Sequence, residues 1–460
     1  MDPLTKEHNI KYFRIEALFG DRNIHLNFDQ KFRVLIGENG IGKTSVLNAL
    51  YYTLTGRFNK LRTLEFKSIS VEFNSGKNIT IEKDDLVFSN EEDLHRNRQE
   101  LLVSDYIQKN LTEREHEFIS FNLESGKKIS HSDFNEIVSR LGSQLHYPSS
   151  FIRRHLQYMF SGKSGKLDEA RRVIAKELDA DILYFPTYRR IEEELHKLGS
   201  VNDINIPQDD KRLIQFGMDD VSNTFTEVLE VIKNSAILGF SEITGEMLSQ
   251  YLEGPPQLDS DIKERLDPKL LKIILERVGP NITDENKTRI LDLIKSGEVF
   301  QSDNYRYLLN FLSKLVKAYD QQKDLDNAIK AFESTCNSYL TGKKVIYNES
   351  KVTIDIVNQN SDQSIELRNL SSGEKQIISM FSKIIFNKAE NLIVLFDEPE
   401  LSLSLEWQRK LLPDILKSKK CKLLLSVTHS PFIFDNDLDS FAEEMNKYVS
   451  YINPTQENNS

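Results

Sequence analysis

The feature that most constrains the fold of this chain is the run Gly-Glu-Asn-Gly-Ile-Gly-Lys-Thr at residues 37–44, which fits the pattern G-x-x-x-x-G-K-[ST]. It follows residues 32–36, a nearly continuous apolar segment that is typical of a strand buried on both faces. It opens residues 44–54, in which apolar side chains recur on one side at helical spacing. A strand, a glycine-rich loop and a helix in this order predict a loop folded around phosphate groups.

The residue types of this loop suit that chemistry. Glycines let the backbone curl so that successive N–H groups point inward, and the start of the helix adds its positive end. We expect Lys43 to reach the β- and γ-phosphates of ATP, and the hydroxyl of Thr44 to bind Mg²⁺. The predicted nucleotide-binding residues here are Gly37, Glu38, Asn39, Gly40, Ile41, Gly42, Lys43, Thr44 and Ser45.

A second apolar segment, residues 392–396, ends in the acids Asp397 and Glu398. The carboxyl end of a strand is where an α/β sheet holds its ligand. We expect Asp397 to hold Mg²⁺ and Glu398 to orient or deprotonate the attacking water. The alternative is that Asp397 and Glu398 belong to a solvated acidic turn. The phosphate-binding pattern in the same chain makes this alternative less favoured than a Mg²⁺ site.

Strand patterns lie at the two ends of the chain, and a mainly helical stretch separates them. The predicted division is an N-terminal lobe at 1–90, a helical insertion at 91–340 and a C-terminal lobe at 341–460. An apolar island at 182–185 predicts a strand that returns to the first and last lobes near 182–190. Apolar spacing predicts helices at 224–239 and at 305–340, the second as one long helix if unbroken. The predicted fold class is α/β, with a mixed and parallel sheet, flanking helices and a mainly helical insertion.

Composition excludes several classes of protein. A formal net charge of -11 rules out a wholly basic nucleic-acid coat, although local basic patches stay open. Cys336 and Cys421 have no metal-binding spacing and are expected to be ordinary thiols of a reducing compartment. No apolar stretch approaches the ~20 residues that span a bilayer, and residues 1–6 lack the apolar run of a signal peptide. We therefore expect a cytoplasmic protein that does not enter a membrane.

Three further segments resemble one class of ATPase. Residues 369–376, Asn-Leu-Ser-Ser-Gly-Glu-Lys-Gln, resemble the signature motif of ABC-type ATPases in the form of SMC and RecF relatives. Residues 398–404 resemble the D-loop, with Ser404 where relatives often have Asp or His. Residues 424–431 resemble the switch motif, whose histidine senses the γ-phosphate, so His429 is expected to be catalytic. The chain is thus similar, over roughly residues 10–83 and 345–436, to the SMC/RecF/OLD branch of ABC-type P-loop NTPases.

This resemblance implies a nucleotide held between two subunits. In the class, the signature residues contact the γ-phosphate bound by the opposing subunit, which here implies Ser371, Ser372, Gly373 and Glu374. A dimeric ATP sandwich follows. The Q-loop glutamine of the class is not identifiable, and Gln99, Gln108 and Gln157 are its candidates.

Residues 184–192, 370–376 and 428–436 resemble ATPase subunits of bacterial anti-phage systems, first AriA of PARIS and next PtuA of Septu. That resemblance implies a homo-oligomer, with a hexamer as the leading expectation. It also implies a separate nuclease or toxin effector, TOPRIM-like or HNH-like, and a phage protein as trigger.

Other interpretations stay open at this stage. Tyr188, Arg189 and Arg190 could lie near phosphates or form a solvated helix start. The cluster of Arg153, Arg154, Lys163, Lys166, Arg171 and Arg172 could touch nucleic acid or be a solvated face. A RecF-like DNA-repair or DNA-end-binding ATPase, and a nucleotide-gated interaction platform with little turnover, are the alternative functions.

Overall fold

The computed structural model describes residues 8–38, 40–86, 111, 115, 131–145, 147–159, 163–187, 217–254, 256–258 and 262–452. The chain forms two compact units. Residues 1–214 and 389–460 make up the first, called the head unit, and residues 215–388 make up the second, called the helical unit. None of the helices in the described ranges is long and apolar enough to cross a membrane.

The elements follow along the chain in this order. They are β1 (Ile10–Leu18), β2 (Arg22–Asn27), β3 (Phe32–Ile36), α1 (Lys43–Leu54), β4 (Ser68–Phe73), β5 (Asn78–Glu82), α2 (His131–Leu145), α3 (Ser149–Met159), α4 (Lys163–Glu177), β6 (Asp181–Phe185), α5 (Met218–Glu253), α6 (Ile262–Arg265), α7 (Pro268–Arg277), α8 (Asp284–Ser296), α9 (Arg306–Asp320), α10 (Lys323–Asn337), β7 (Lys343–Asn348), β8 (Thr353–Asn358), α11 (Ser372–Ile385), β9 (Leu392–Asp397), α12 (Leu405–Lys417), β10 (Cys421–Thr428), β11 (Ala442–Glu444) and β12 (Val449–Tyr451).

The head unit contains an antiparallel sheet in the order β12-β2-β1-β4-β5. Phe13 of β1 lies opposite Leu26 of β2 and Val71 of β4, and all three side chains are fully buried. The alternating pattern of β4 and β5 forms the hairpin that the sequence predicts, with Ile69 opposite Ile81. One face of this sheet therefore packs on the core, as alternation predicts.

A second sheet of the head unit has the order β11-β3-β10-β9-β6, and every pair that it contains is parallel. Val427 of β10 pairs with Asp397 of β9, and Ile36 of β3 pairs with Thr428 of β10. All of β9 is buried, which explains its continuous apolar sequence. The carboxyl ends of these strands consequently lie along one edge, and the predicted α/β class with mixed and parallel sheets is confirmed.

Strand β6 comes from the middle of the chain and forms the end of this parallel sheet next to β9. Phe185 lies beside Phe396, and their rings stack with centroids 4.6 Å apart. The strand predicted at 182–185 is therefore present, and Thr187, which follows it, reaches Asp397 at the same sheet edge.

The helical unit has its own apolar core, which α7, α8 and α9 build together with part of α5. Helix α5 extends well beyond the predicted 224–239 at both ends. The single long helix predicted at 305–340 is wrong, because the chain turns between α9 and α10.

The turn has a cause that apolar spacing cannot reveal. The N–H of Gln322 donates to the carbonyl of Tyr319 at 2.9 Å, which closes a tight turn. One turn later, Asp326 forms a buried ion pair with Arg277 of α7 at 2.6 Å. A distant arginine thus helps to fix the break, while the apolar stripe runs on through both helices.

Candidate nucleotide-binding site

The glycine-rich loop between β3 and α1 depends on left-handed backbone. Gly42 precedes α1 with φ of 98°, and a Cβ there would lie 3.1 Å from Cε2 of Phe19. Any other residue would be strained in that conformation and crowded by the ring. Ile41 is 8% exposed and packs into the head core, whereas Glu38 and Gly40 are exposed and Ser45 is half-buried. Asn39 lies outside the described residues.

Lys43 is folded against its own loop. Its ammonium donates to the carbonyls of Gly37 at 2.7 Å and Glu38 at 3.0 Å, and lies 2.6 Å from Nε2 of His429. Burial holds the pKa of Lys43 below its ordinary value, although nearby carboxylates act in the opposite direction. The carbonyl oxygens that this ammonium contacts are neutral acceptors, which bind a cation less strongly than charged oxygens do.

Two hydroxyls converge on the carboxylate that ends β9. Oγ1 of Thr44 lies 3.0 Å from Oδ1 and 2.9 Å from Oδ2 of Asp397. Oγ1 of Thr187, two residues after β6, lies 2.9 Å from the same Oδ2. Asp397 is 2% exposed. Carboxylate and hydroxyl oxygens are the ligands that Mg²⁺ prefers, so this donor set fits the ion that the sequence predicts.

Glu398 occupies a strained position between β9 and the following turn. Its φ is 51°, a conformation that side-chain-bearing residues adopt rarely, and its N–H donates to the carbonyl of Val427 at 2.9 Å. Oε1 lies 3.6 Å from Nε2 of His429. Backbone strain of this kind is concentrated at functional sites.

The surroundings of Glu398 make its carboxylate more basic. Burial is the largest cause of a pKa raised above the ordinary value, and the negative charges of Asp397 and Glu400 raise it further. The opposing effects of His429 and Lys43 are smaller. A carboxylate with a raised pKa accepts a proton more readily, which suits a general base.

Glu400 is a residue whose position the sequence did not predict. Its Oε1 accepts hydrogen bonds from the backbone N–H groups of His429 at 2.9 Å and Ser430 at 3.2 Å. The hydroxyl of Ser430 donates to Oε1 of Gln408 at 2.6 Å, and Nε2 of Gln408 donates to the carbonyl of Leu403 at 3.0 Å. The loop after β9 and the turn that carries His429 are thereby tied together.

The sequence Asp-Glu-Pro-Glu shows that residue 400 is an acid, but it does not show which groups the Glu400 carboxylate contacts. Thr187 lies in the segment 184–192 that resembles anti-phage ATPase subunits, but its contact with Asp397 depends on the pairing of β6 with β9. Ser404, which stands where relatives often have Asp or His, caps α12, and its hydroxyl accepts from the N–H of Trp407.

The signature segment lies in the helical unit, at the start of α11. Ser371 is the N-cap, and its hydroxyl accepts from the N–H of Glu374 while the Glu374 carboxylate accepts from the N–H of Ser371 at 2.7 Å. Lys343 also donates to that carboxylate at 2.7 Å. Burial alone would raise the pKa of Glu374, but these hydrogen bonds hold it below its ordinary value. Glu374 thus serves the helix cap, whereas Ser372 begins the helix and Gly373 is buried within its first turn.

Several other candidates lie wholly or partly outside the described residues. Gln99, Gln108, Tyr188, Arg189 and Arg190 are among them, as are the side chains of Arg154, Gln157 and Lys163. Of the described basic residues, Arg171 pairs with Asp168 at 2.7 Å and lies over the ring of Phe58. Lys166 lies 3.7 Å from Asp85. These contacts favour a solvated face over a nucleic-acid surface.

The parallel sheet, the glycine-rich loop at its edge and the acids that end β9 define a P-loop ATPase. A family model described as "AAA ATPase domain" matches residues 19–434. The chain belongs to this family and is an ATP-binding and ATP-hydrolysing enzyme. No curated protein matches it.

Solved structures show more distant likenesses. One is the Smc head domain with an extended coiled coil, bound to the C-terminal domain of ScpA, from Pyrococcus furiosus, with 11% identity, 96% of each chain covered and a TM-score of 0.34. Another is the Smc head domain with a coiled coil and joint from Pyrococcus yayanosii, with 13% identity, 93% of each chain covered and a TM-score of 0.32. Likenesses this low say nothing about the partners of this chain.

Proposed function

We propose that ATP and Mg²⁺ bind at the loop of residues 37–45 and that the head unit itself carries the groups for hydrolysis. The contact between Thr44 and Asp397 carries this proposal, since it brings the loop and the acidic strand end within 3.0 Å of each other. Thr44 and Asp397 would hold the ion, which would neutralise charge on the phosphate oxygens. Lys43 would take the β- and γ-phosphates in place of its present carbonyl partners.

Glu398 is the general base of this proposal. Its carboxylate would orient the attacking water and accept its proton, which the raised pKa favours. His429 would sense the γ-phosphate. Its Nε2 now lies 2.6 Å from the Lys43 ammonium, so a phosphate that draws the lysine away also changes the partner of the histidine.

We propose further that the signature segment acts on the nucleotide of a second copy. Two observations support this proposal. Residues 369–376 resemble the ABC signature, and Ser371 and Ser372 are exposed at the start of α11. Helix N-termini attract anions because their first N–H groups lack partners within the helix. Ser372 and Gly373 would supply such N–H groups, the hydroxyl of Ser371 would lie beside them, and Glu374 keeps the cap in shape. Two heads would then enclose two nucleotides in an isologous pair.

In the cell, we propose, this ATPase senses a phage product and controls a separate nuclease in anti-phage defence. The support is the likeness of residues 184–192, 370–376 and 428–436 to AriA and PtuA subunits. The assembly would be a homo-oligomer, with a hexamer as the expected form, and the effector would be a TOPRIM-like or HNH-like nuclease.

The test is a plaque assay in cells that carry this gene with its chromosomal neighbours. We expect protection with the natural sequence and none with Glu398→Gln, with a nuclease encoded next to the gene. Equal protection by both proteins, or no nuclease gene nearby, would contradict the defence role. Strong, salt-dependent binding of duplex DNA by the purified protein would instead favour a RecF-like function.

A further inference from the structure

We propose that Thr187 is a positioning residue for the Mg²⁺ site, one that fixes the Asp397 carboxylate so that Thr44 is free to coordinate the ion. The inference rests on the proposed Mg²⁺ site and adds to it a residue from β6. Neither the phosphate-binding pattern nor the acidic strand end points to this threonine.

The hydroxyl of Thr44 faces two acceptor oxygens with a single proton. Oγ1 of Thr44 lies within hydrogen-bond distance of both oxygens of Asp397, at 3.0 and 2.9 Å. A hydroxyl has only one proton to donate, so Thr44 donates to one of the two oxygens at a time.

Thr187 supplies the second proton. Its Oγ1 lies 2.9 Å from Oδ2 of Asp397, the oxygen that Thr44 would otherwise have to share. With Oδ2 held by Thr187, the proton of Thr44 can settle on Oδ1. The lone pairs of the Thr44 oxygen then point away from Asp397, where a cation can accept them.

The fold explains why this contact is precise. Thr187 follows β6 directly through Pro186, and β6 is locked to β9 by five paired residues and by the stacked rings of Phe185 and Phe396. Proline restricts the backbone before it and within it, which limits how far Thr187 can move. Partners that orient a metal-binding side chain typically change metal affinity about 10- to 100-fold when removed.

The experiment compares Thr187→Val, which keeps the shape and loses the hydroxyl, with Thr187→Ser, which keeps the hydroxyl. Mn²⁺ binding to the full-length protein loaded with a non-hydrolysable ATP analogue is measured by electron paramagnetic resonance. Mg²⁺ dependence of ATP hydrolysis and nucleotide affinity in EDTA are measured alongside. Thr55→Val is the control, since it removes a hydroxyl that donates to the Tyr51 carbonyl at the far end of α1.

We expect Thr187→Val to weaken Mn²⁺ binding by roughly tenfold or more and to raise the Mg²⁺ concentration for half-maximal hydrolysis by a similar factor. Nucleotide affinity in EDTA should stay unchanged, and Thr187→Ser should behave like the natural protein. Equal Mn²⁺ affinity in Thr187→Val would overturn the inference. So would a loss in Thr187→Ser as large as in Thr187→Val, or a matching loss of affinity in EDTA.

Thr44→Ala separates this inference from the proposed function. If Thr44→Ala weakens Mn²⁺ binding and Thr187→Val does not, the Mg²⁺ site stands and the role of Thr187 is wrong. If neither substitution changes Mn²⁺ binding, the Mg²⁺ site itself is wrong.

Discussion

Oγ1 of Thr44 and Oδ2 of Asp397 lie 2.9 Å apart, although 353 positions separate the two residues in the chain. The pairing of β3 with β10 and of β10 with β9 produces this contact, because it aligns the carboxyl ends of the strands. The loop and the acid are therefore parts of one site within a single head unit.

Replacing Glu398 with glutamine should keep nucleotide binding and slow hydrolysis by roughly 10²- to 10⁴-fold, since the amide keeps the shape but cannot accept the proton. Single-turnover hydrolysis and equilibrium binding of ATP should be measured on the same preparation. Glu406→Gln on the exposed face of α12, where Glu406 pairs with Lys410, is the matched control and should change neither. Unchanged hydrolysis in Glu398→Gln would remove Glu398 from the mechanism.

The pH dependence of hydrolysis should identify the base. A base acts when deprotonated, so the rate should rise as pH increases through the raised pKa of Glu398. Glu400→Gln removes one of the charges that raise this pKa, so the acidic limb of the profile should move to lower pH. An amide oxygen can still accept from the N–H groups of His429 and Ser430.

Profiles of the hydrolysis rate between about pH 5 and 8 would test this shift. Asp414→Asn, which alters a carboxylate paired with Lys417 on α12, should leave the acidic limb in place. A Glu400→Gln profile that coincides with that of the natural protein would show that Glu398 does not set the limb.

Ser371→Arg tests the proposed contact between subunits. A long cation at the N-cap of α11 would occupy the place of the opposing γ-phosphate, so hydrolysis should fall to background while single heads still bind ATP. Nucleotide affinity, ATP-dependent dimer formation by light scattering, and turnover give the three readings. Arg368→Ser, a change at an exposed residue just before the segment, is the control. Full turnover in Ser371→Arg would exclude the sandwich.

The buried ion pair between Arg277 and Asp326 should be important for the helical unit. Both side chains are almost fully buried, at 3% and 1% exposure, and Arg277 also lies over the ring of Tyr319. Arg277→Leu leaves the buried carboxylate of Asp326 without its cationic partner, although the hydroxyl of Tyr347 still donates to it, and should lower the free energy of unfolding by about 3–5 kcal/mol.

Denaturant unfolding followed by far-ultraviolet circular dichroism measures that loss, since the only tryptophan, Trp407, lies in the head unit. Arg306→Ala breaks an exposed pair with Asp303 and should cost at most about 1 kcal/mol. Equal stability of the two variants would mean that the buried pair contributes no more than a surface one.

Sequence patterns predicted those parts of the molecule that are local. The loop from Gly37 to Thr44 lies between a strand and a helix whose residues are its neighbours in the chain, so its identity could be read directly. The same holds for Asp397 and Glu398 at the end of β9. The α/β class also follows from short local patterns, the apolar runs of β3, β9 and β10 and the helical spacing between them.

Features that depend on distant pairing could not be predicted. Thr187 reaches Asp397 only because β6 adds to the sheet beside β9, and Glu400 reaches His429 only because two loops meet at the sheet edge. The turn at Gln322 could not be predicted for a similar reason. The apolar spacing continues through the turn, and Arg277, which pairs with Asp326, lies in the distant helix α7. The spacing of apolar residues shows which face of a helix or strand is buried, but it does not show which other element packs against that face.

Strand β3 has consequences for how the protein is made. Its two neighbours in the sheet, β10 and β11, both lie near the other end of the chain, and Lys43 meets His429 across 386 positions. A ribosome that adds about 5–20 residues per second needs roughly 20–80 seconds to supply those neighbours. Throughout that interval β3 lacks both of the strands that flank it in the folded sheet, so its apolar side chains are exposed to water or to other chains.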